Sequence, residues 1–122
     1  MDNSKPPVDI KEFAAAQEQA KLVKPAYVHY FSKGFTYNGK TIATIKFDFD
    51  QLTGRDGLAI EREVQQAGRM VVAPAFSGDY LIRMASRASD PKIGIDAFDT
   101  MSLSDYNRIR DAARSFLLKS ES

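Results

Sequence analysis

Two runs of alternating apolar and polar residues flank Asn38-Gly39, one from Phe31 to Tyr37 and the other from Lys40 to Phe49. Asn-Gly between such runs is a strong local hairpin signal, because both positions tolerate positive φ. The register poses a choice. A two-residue loop pairs Phe35 with Ile42 and puts Phe31 and Phe47 on opposite faces. A loop one residue longer pairs Phe31 with Phe47, Phe35 with Ala43 and Tyr37 with Thr41. It collects Phe31, Phe35, Ile45 and Phe47 on one face. A one-residue slip turns every side chain over, so burial favours the longer loop, or a bulge with the same result. Asp48 and Asp50 alternate with the last phenylalanines and read as the solvent side.

Helical spacing takes over beyond the hairpin. Thr53-Gly-Arg-Asp56 is a capping-box variant opening a helix to about Ala67, with Ile60, Val64 and Ala67 as its stripe, Leu58 nearby and Gly68 as its stop. An apolar linker, Met70 to Phe76, is broken by Pro74. Ser77-Gly-Asp79 caps a second helix to about Ser89. Its apolar side is Tyr80, Leu81, Met84, Ala85 and Ala88, and Asp90-Pro91 ends it. Residues 93–101 read as a loop carrying Ile95, Phe98 and Met101. Ser102-Leu-Ser-Asp105 is a cleaner capping box. It opens a last helix to about Leu118 with Leu103, Tyr106, Ile109, Ala113, Phe116 and Leu117 inward and Arg108, Arg110, Asp111 and Arg114 outward. Upstream, residues 1–8 are polar with two prolines and read as a disordered tail. Asp9 caps an expected N-terminal helix over residues 9–24, whose thin stripe (Ile10, Phe13, Ala14, Ala20) makes it marginal on its own. Residues 25–119 form the single compact domain. The expected fold is α+β: an N-terminal β-hairpin followed by a small helical bundle of about three to four helices.

At 122 residues the chain has room for one domain, and 43% hydrophobic residues suffice for a packed core. A net charge of +1 with interleaved signs argues against nucleic acid as a partner. The absence of cysteine excludes a disulfide scaffold and cysteine-ligated zinc. There is no apolar leader and no run near the roughly 18 residues that span a bilayer, so the expected setting is the cytoplasm, with no membrane partner.

Residue by residue, no constellation announces an enzyme. His29 is the lone histidine and reads as a surface strand residue, since no second imidazole or thiol exists to make a metal or catalytic pair. Asp48, Asp50, Asp96 and Asp99 lack the spacing of a calcium loop and read as solvated charges and turn caps. Ser77 and Ser102 lack a nucleophile elbow and read as helix caps. Thr53 to Gly57 is glycine-rich before a helix but has neither the phosphate-loop lysine nor the dinucleotide spacing. No cofactor and no metal are expected. Arg83, Arg87, Arg108, Arg110 and Arg114 are candidates for a basic face, diluted by Asp79, Asp105 and Asp111. Some of them suit a protein interface better.

The order of elements carries a resemblance. A hairpin with a Tyr37-Asn-Gly-Lys40 turn is followed by Phe47-Asp-Phe49 and by Leu52-Thr-Gly-Arg-Asp56 opening a helix. An alanine- and arginine-containing helix, Tyr80 to Ala88, comes next. Met101-Ser-Leu-Ser-Asp-Tyr-Asn107 opens the last. Over about residues 27–118 this resembles the tail assembly chaperones of long-tailed bacteriophages and prophages. The resemblance implies a non-enzymatic protein of the host bacterial cytoplasm, absent from the mature virion. Such a protein binds the helical tape measure protein and helps recruit tail tube subunits. The alternative is a structural or adaptor subunit retained in the virion. A homo-oligomer is compatible with either. A third reading, a small transcriptional regulator, conflicts with the near-neutral charge. A client exposing long apolar stripes calls for an apolar surface offered reversibly. The residues themselves suggest Phe31, Phe35, Tyr37, Phe47 and Phe49 of the hairpin and Met70, Val72 and Phe76 of the linker as that surface.

Overall fold

β1 (Ala26–Tyr37) and β2 (Lys40–Asp48) pair antiparallel across Asn38-Gly39, which adopt φ of 52° and 77°. The computed structural model describes residues 26–120, so the expected tail and the helix over 9–24 lie outside the described residues. Next to the turn the register is Tyr37↔Lys40, Thr36↔Thr41 and Phe35↔Ile42. Further along it is Tyr30↔Thr44, His29↔Ile45 and Tyr27↔Phe47. Residues 31–34 of β1 therefore face residue 43 of β2 alone. The loop stays at two residues, and a wide bulge does the gathering that a longer loop would have done. Phe31, Phe35, Ile45 and Phe47 all end buried. Gly34 lies in the bulge at φ +69°, a conformation that disfavours a Cβ, and a Cβ there would stand 3.1 Å from Thr41 Cγ2.

The strand stops at Asp48, and Phe49–Gln51 forms a 3-10 turn with Phe49 still buried. Thr53 then opens α1 (Gly54–Gln66): its backbone N–H donates to Asp56 Oδ2 at 2.8 Å. Ile60 and Val64 face inward. The helix closes at Gly68 (φ +81°), with Gly68 N donating to Gln65 O at 2.9 Å and Arg69 N to Val64 O at 3.1 Å. This is the double bond of a glycine-terminated helix.

α2 (Gly78–Ala88) starts at Ser77, whose Oγ accepts from Tyr80 N at 3.1 Å. Its five expected inward residues are all buried. Ser89–Asp90 then pairs with Phe47 and Lys46 as a short β3, giving the sheet order β1-β2-β3. Sequence periodicity does not foresee this strand, because two residues carry no period. The residue before Pro91 must leave helical geometry, and the open edge of β2 accepts it.

A one-turn helix, α3 (Ala97–Thr100), buries Ala97 and Phe98, while Ile95 stays exposed. α4 (Leu103–Ser120) buries Ile109 and Ala113, with Tyr106, Phe116 and Leu117 half-buried against the core. Leu103 is a correction: it is 71% exposed. As the first helical residue it precedes the stretch of α4 that meets the sheet. The helices lie on the inner face of the sheet and share one core with it, as expected of a hairpin that cannot stand alone in water. The architecture is α+β, a hairpin followed by helices.

Candidate functional site

Four of the proposed surface aromatics are core residues. Phe31, Phe35, Phe47 and Phe49 are at most 7% exposed. Their rings stack in two pairs, with centroid distances of 5.1 Å for Phe31–Phe35 and 6.2 Å for Phe47–Phe49, joined through His29 and Tyr27, and Phe49 reaches Phe116 of α4 at 5.7 Å. Each such burial stabilises the fold by about 1.5–3 kcal/mol. At this burial the rings fill the core, and of the four only Phe35 also borders an open cleft. Tyr37 is half-buried and ties the hairpin to the loop after β3: its hydroxyl donates to Asp96 Oδ1 at 2.8 Å and accepts from Gly94 N at 3.1 Å.

The linker residues are placed differently. Met70 is 83% exposed, Val72 87% and Phe76 71%. Between them Val71 packs on the core and Ala75 is buried, so the segment is pinned while its large side chains stand in solvent. The pin is a 3-10 turn over Pro74–Phe76, closed by Phe76 N to Ala73 O at 2.9 Å and Ser77 N to Pro74 O at 3.1 Å. Arg114 of α4 reaches across to it. Its Nε donates to Ala75 O at 2.7 Å, and its guanidinium carbon lies 5.6 Å from the centre of the Phe76 ring, within cation–π range. Sequence alone signals the exposed segment only as an apolar run around a proline. The 39-residue separation of Arg114 and Ala75 leaves no local trace.

His29 is a correction. It is 1% exposed rather than a surface residue, because the strand phase that buries Ile45 and Phe47 buries it too. Its Nε2 meets Asp105 Oδ1 at 2.8 Å and its Nδ1 meets the Tyr27 hydroxyl at 2.8 Å. With a neutral ring, Nε2–H donates to the carboxylate and Nδ1 accepts from the phenol, which satisfies both nitrogens. The ring packs edge-on to Phe31 at 4.6 Å. Burial, opposed by Arg108 and aided by Asp105, pushes the Tyr27 phenol above its ordinary pKa. Asp105 also closes the α4 cap: Ser102 Oγ donates to Oδ2 at 2.7 Å and accepts from Asp105 N at 3.1 Å. A solvent-open cleft of about 530 Å³ lies beside it, lined by Ser32, Lys33, Thr36, Thr100, Ser102 and Asp105. Serine, aspartate and histidine thus occur in one chain of hydrogen bonds, but in the wrong order for acyl transfer. The hydroxyl touches the carboxylate rather than the imidazole, which lies on the far side, so no imidazole is placed to take its proton.

The arginines of α2 are neutralised by α1. Arg87 binds Asp56 at 2.9 Å and Glu63 at 3.0 Å; Arg83 binds Glu63 and Asp79, each at 3.2 Å. The hydrogen bond from Thr53 N, and then Arg87, hold the Asp56 carboxyl below its usual range. For Glu63, burial raises the pKa, but the bonds from Arg87 and Arg83 outweigh it and the net shift is downward. Arg110 lies over Tyr106 at 5.4 Å. Arg87 and Arg83 thus join α2 to α1 through Asp56 and Glu63, whereas Arg83–Asp79, Arg110–Tyr106 and Arg114–Asp111 are contacts within one helix, so four of the five arginines are engaged locally rather than spread as one basic face. Among the described residues no group of three or more histidine, cysteine, aspartate or glutamate side chains could hold a metal ion, and no helix is long and apolar enough to cross a membrane.

Comparison with protein-family models, with curated proteins and with solved structures finds no match to this chain.

Proposed function

We propose that this chain is a non-enzymatic tail assembly chaperone of a long-tailed phage or prophage. In this reading it binds the apolar stripes of the tape measure protein and helps recruit tail tube subunits in the host cytoplasm. The observation that carries the reading is the solvent-facing trio Met70, Val72 and Phe76 on a domain that buries Phe31, Phe35, Phe47, Phe49 and Phe98 and half-buries Phe116. Scattered exposed apolar residues need no explanation, but three large ones in one seven-residue segment are a concentration of exposed apolar surface, and such concentrations mark binding surfaces. The ordered sequence motifs are what support the family in this reading, and hence the client. Phe31, Phe35, Phe47 and Phe49 are core residues and take no part in that surface.

The experiment is a tagged pull-down of the full chain from cells assembling the cognate tail. Bound proteins are identified by mass spectrometry, and Val72→Asp and Phe76→Asp are run beside the parent. Both positions face solvent, so the variants fold. The expected result is recovery of a large helical tape measure protein by the parent chain and its loss with either variant. Recovery of mature tail components alone, or detection of the chain in purified virions, would replace the chaperone with a structural or adaptor subunit. Recovery of no tail protein would end the family reading.

A further inference from the structure

Phe76 occupies a position with an ordinary structural use that it does not take. It immediately precedes Ser77, the cap of α2. An apolar residue there commonly folds down on the fourth helical residue, here Leu81, as a hydrophobic staple. Leu81 is fully buried, yet Phe76 keeps 71% of its surface in solvent. What meets the ring instead is Arg114, only 27% exposed at its side chain, with its Nε committed to Ala75 O at 2.7 Å and a second donor to Asp111 Oδ1 at 3.3 Å. The guanidinium is thus held at two of its nitrogens, with its carbon 5.6 Å from the centre of the ring.

We infer that Arg114 is the positioning residue of the apolar surface. It holds the turn over residues 74–76 to α4 and keeps Phe76 ordered in its solvent-facing pose before a partner arrives. The partner is the apolar stripe of a helix, so the inference rests on the proposed function. Ordering a ring in advance removes a cost that binding would otherwise carry.

The chain contains no tryptophan, so Phe76→Trp supplies a single fluorescent reporter at this site. In that background Arg114→Ala should lower the steady-state anisotropy and raise acrylamide quenching. Arg114→Lys should do the same, since one ammonium cannot both bond Ala75 O and stack. Unchanged anisotropy and quenching would overturn the inference. Affinity for a purified tape measure helix gives the second readout. Phe76→Ala should weaken binding about thirtyfold, as for a hot-spot residue. Arg114→Ala should weaken it about three- to tenfold when Phe76 is present and leave it unaltered in the Phe76→Ala background. An equal loss in both backgrounds would mean a general structural effect and would sink the positioning role. If Phe76→Ala binds normally, the docking surface itself is wrong, whatever the fluorescence shows. If Phe76→Ala weakens binding and Arg114→Ala does not, only the present inference falls.

Discussion

Replacing His29 by alanine tests the packing logic of the sheet most directly. The imidazole is fully enclosed, bonds the Asp105 carboxylate and the Tyr27 hydroxyl at 2.8 Å each, and packs on Phe31 at 4.6 Å. A hydrogen bond to a charged group contributes about 1.5–3 kcal/mol net. Emptying the ring's volume adds a cavity cost of about 2 kcal/mol or more. Asp105 keeps its bonds within the α4 cap and its side chain is 19% exposed, so water can take over the vacated carboxylate oxygen. The two contributions therefore do not add in full, and the expected loss is about 3 kcal/mol, a large share of a typical domain's stability. With a urea m-value of about 1–3 kcal/mol/M, the midpoint of full-chain unfolding should fall by about 1–3 M at constant m. His29→Phe keeps the ring but leaves the phenol of Tyr27 without its acceptor, so it should recover only part of the loss. A double-mutant cycle with Asp105→Ala should give a coupling of about 1–2 kcal/mol. A loss under about 0.5 kcal/mol for His29→Ala, the scale of a surface change, would refute the buried, satisfied link between β1 and α4.

Three further outcomes are expected. Asp56 and Glu63 have lowered pKa values in the fold, so the unfolded chain binds protons first; their contribution is whole above about pH 5 and lost as pH falls through the folded values, and Arg87→Ala should flatten this part of the urea-midpoint profile between pH 6 and 3. Gly34→Ala meets both a positive φ and the Thr41 methyl at 3.1 Å, whereas Gly39→Ala meets a positive φ in open space. Gly34→Ala should therefore cost more than the about 1–2 kcal/mol of the left-handed conformation alone, and equal costs in thermal melts would count against the bulge geometry. Phe47→Asp should prevent folding, with a cost above about 4 kcal/mol, and far-UV circular dichroism matching that of the parent would contradict its core position.

Local chemistry determined the punctuation of this chain. Asn38-Gly39, the Thr53 and Ser102 capping boxes, Gly68 and Ser77 each act within about five residues, and each performs its expected turn, cap or stop in the structure. The α+β order was legible for the same reason: periods of two and 3.6 separate strands from helices. The inward stripe of α2 follows from its own spacing. Long-range geometry decided the rest. The bulge at residues 31–34 exists because the core needs Phe31, Phe35, Ile45 and Phe47 on one side while the turn demands two residues. β3 exists because β2 has an open edge. His29 shares the inward strand phase, and a carboxylate 76 positions away gives its enclosed Nε2 a partner. The apolar residues looked equivalent in sequence: periodicity cannot separate a phenylalanine that fills the core from one that stands outside it. Only the packing of the helices, α2 and α4 among them, against the sheet enclosed the first kind, and that packing left Met70, Val72 and Phe76 in solvent.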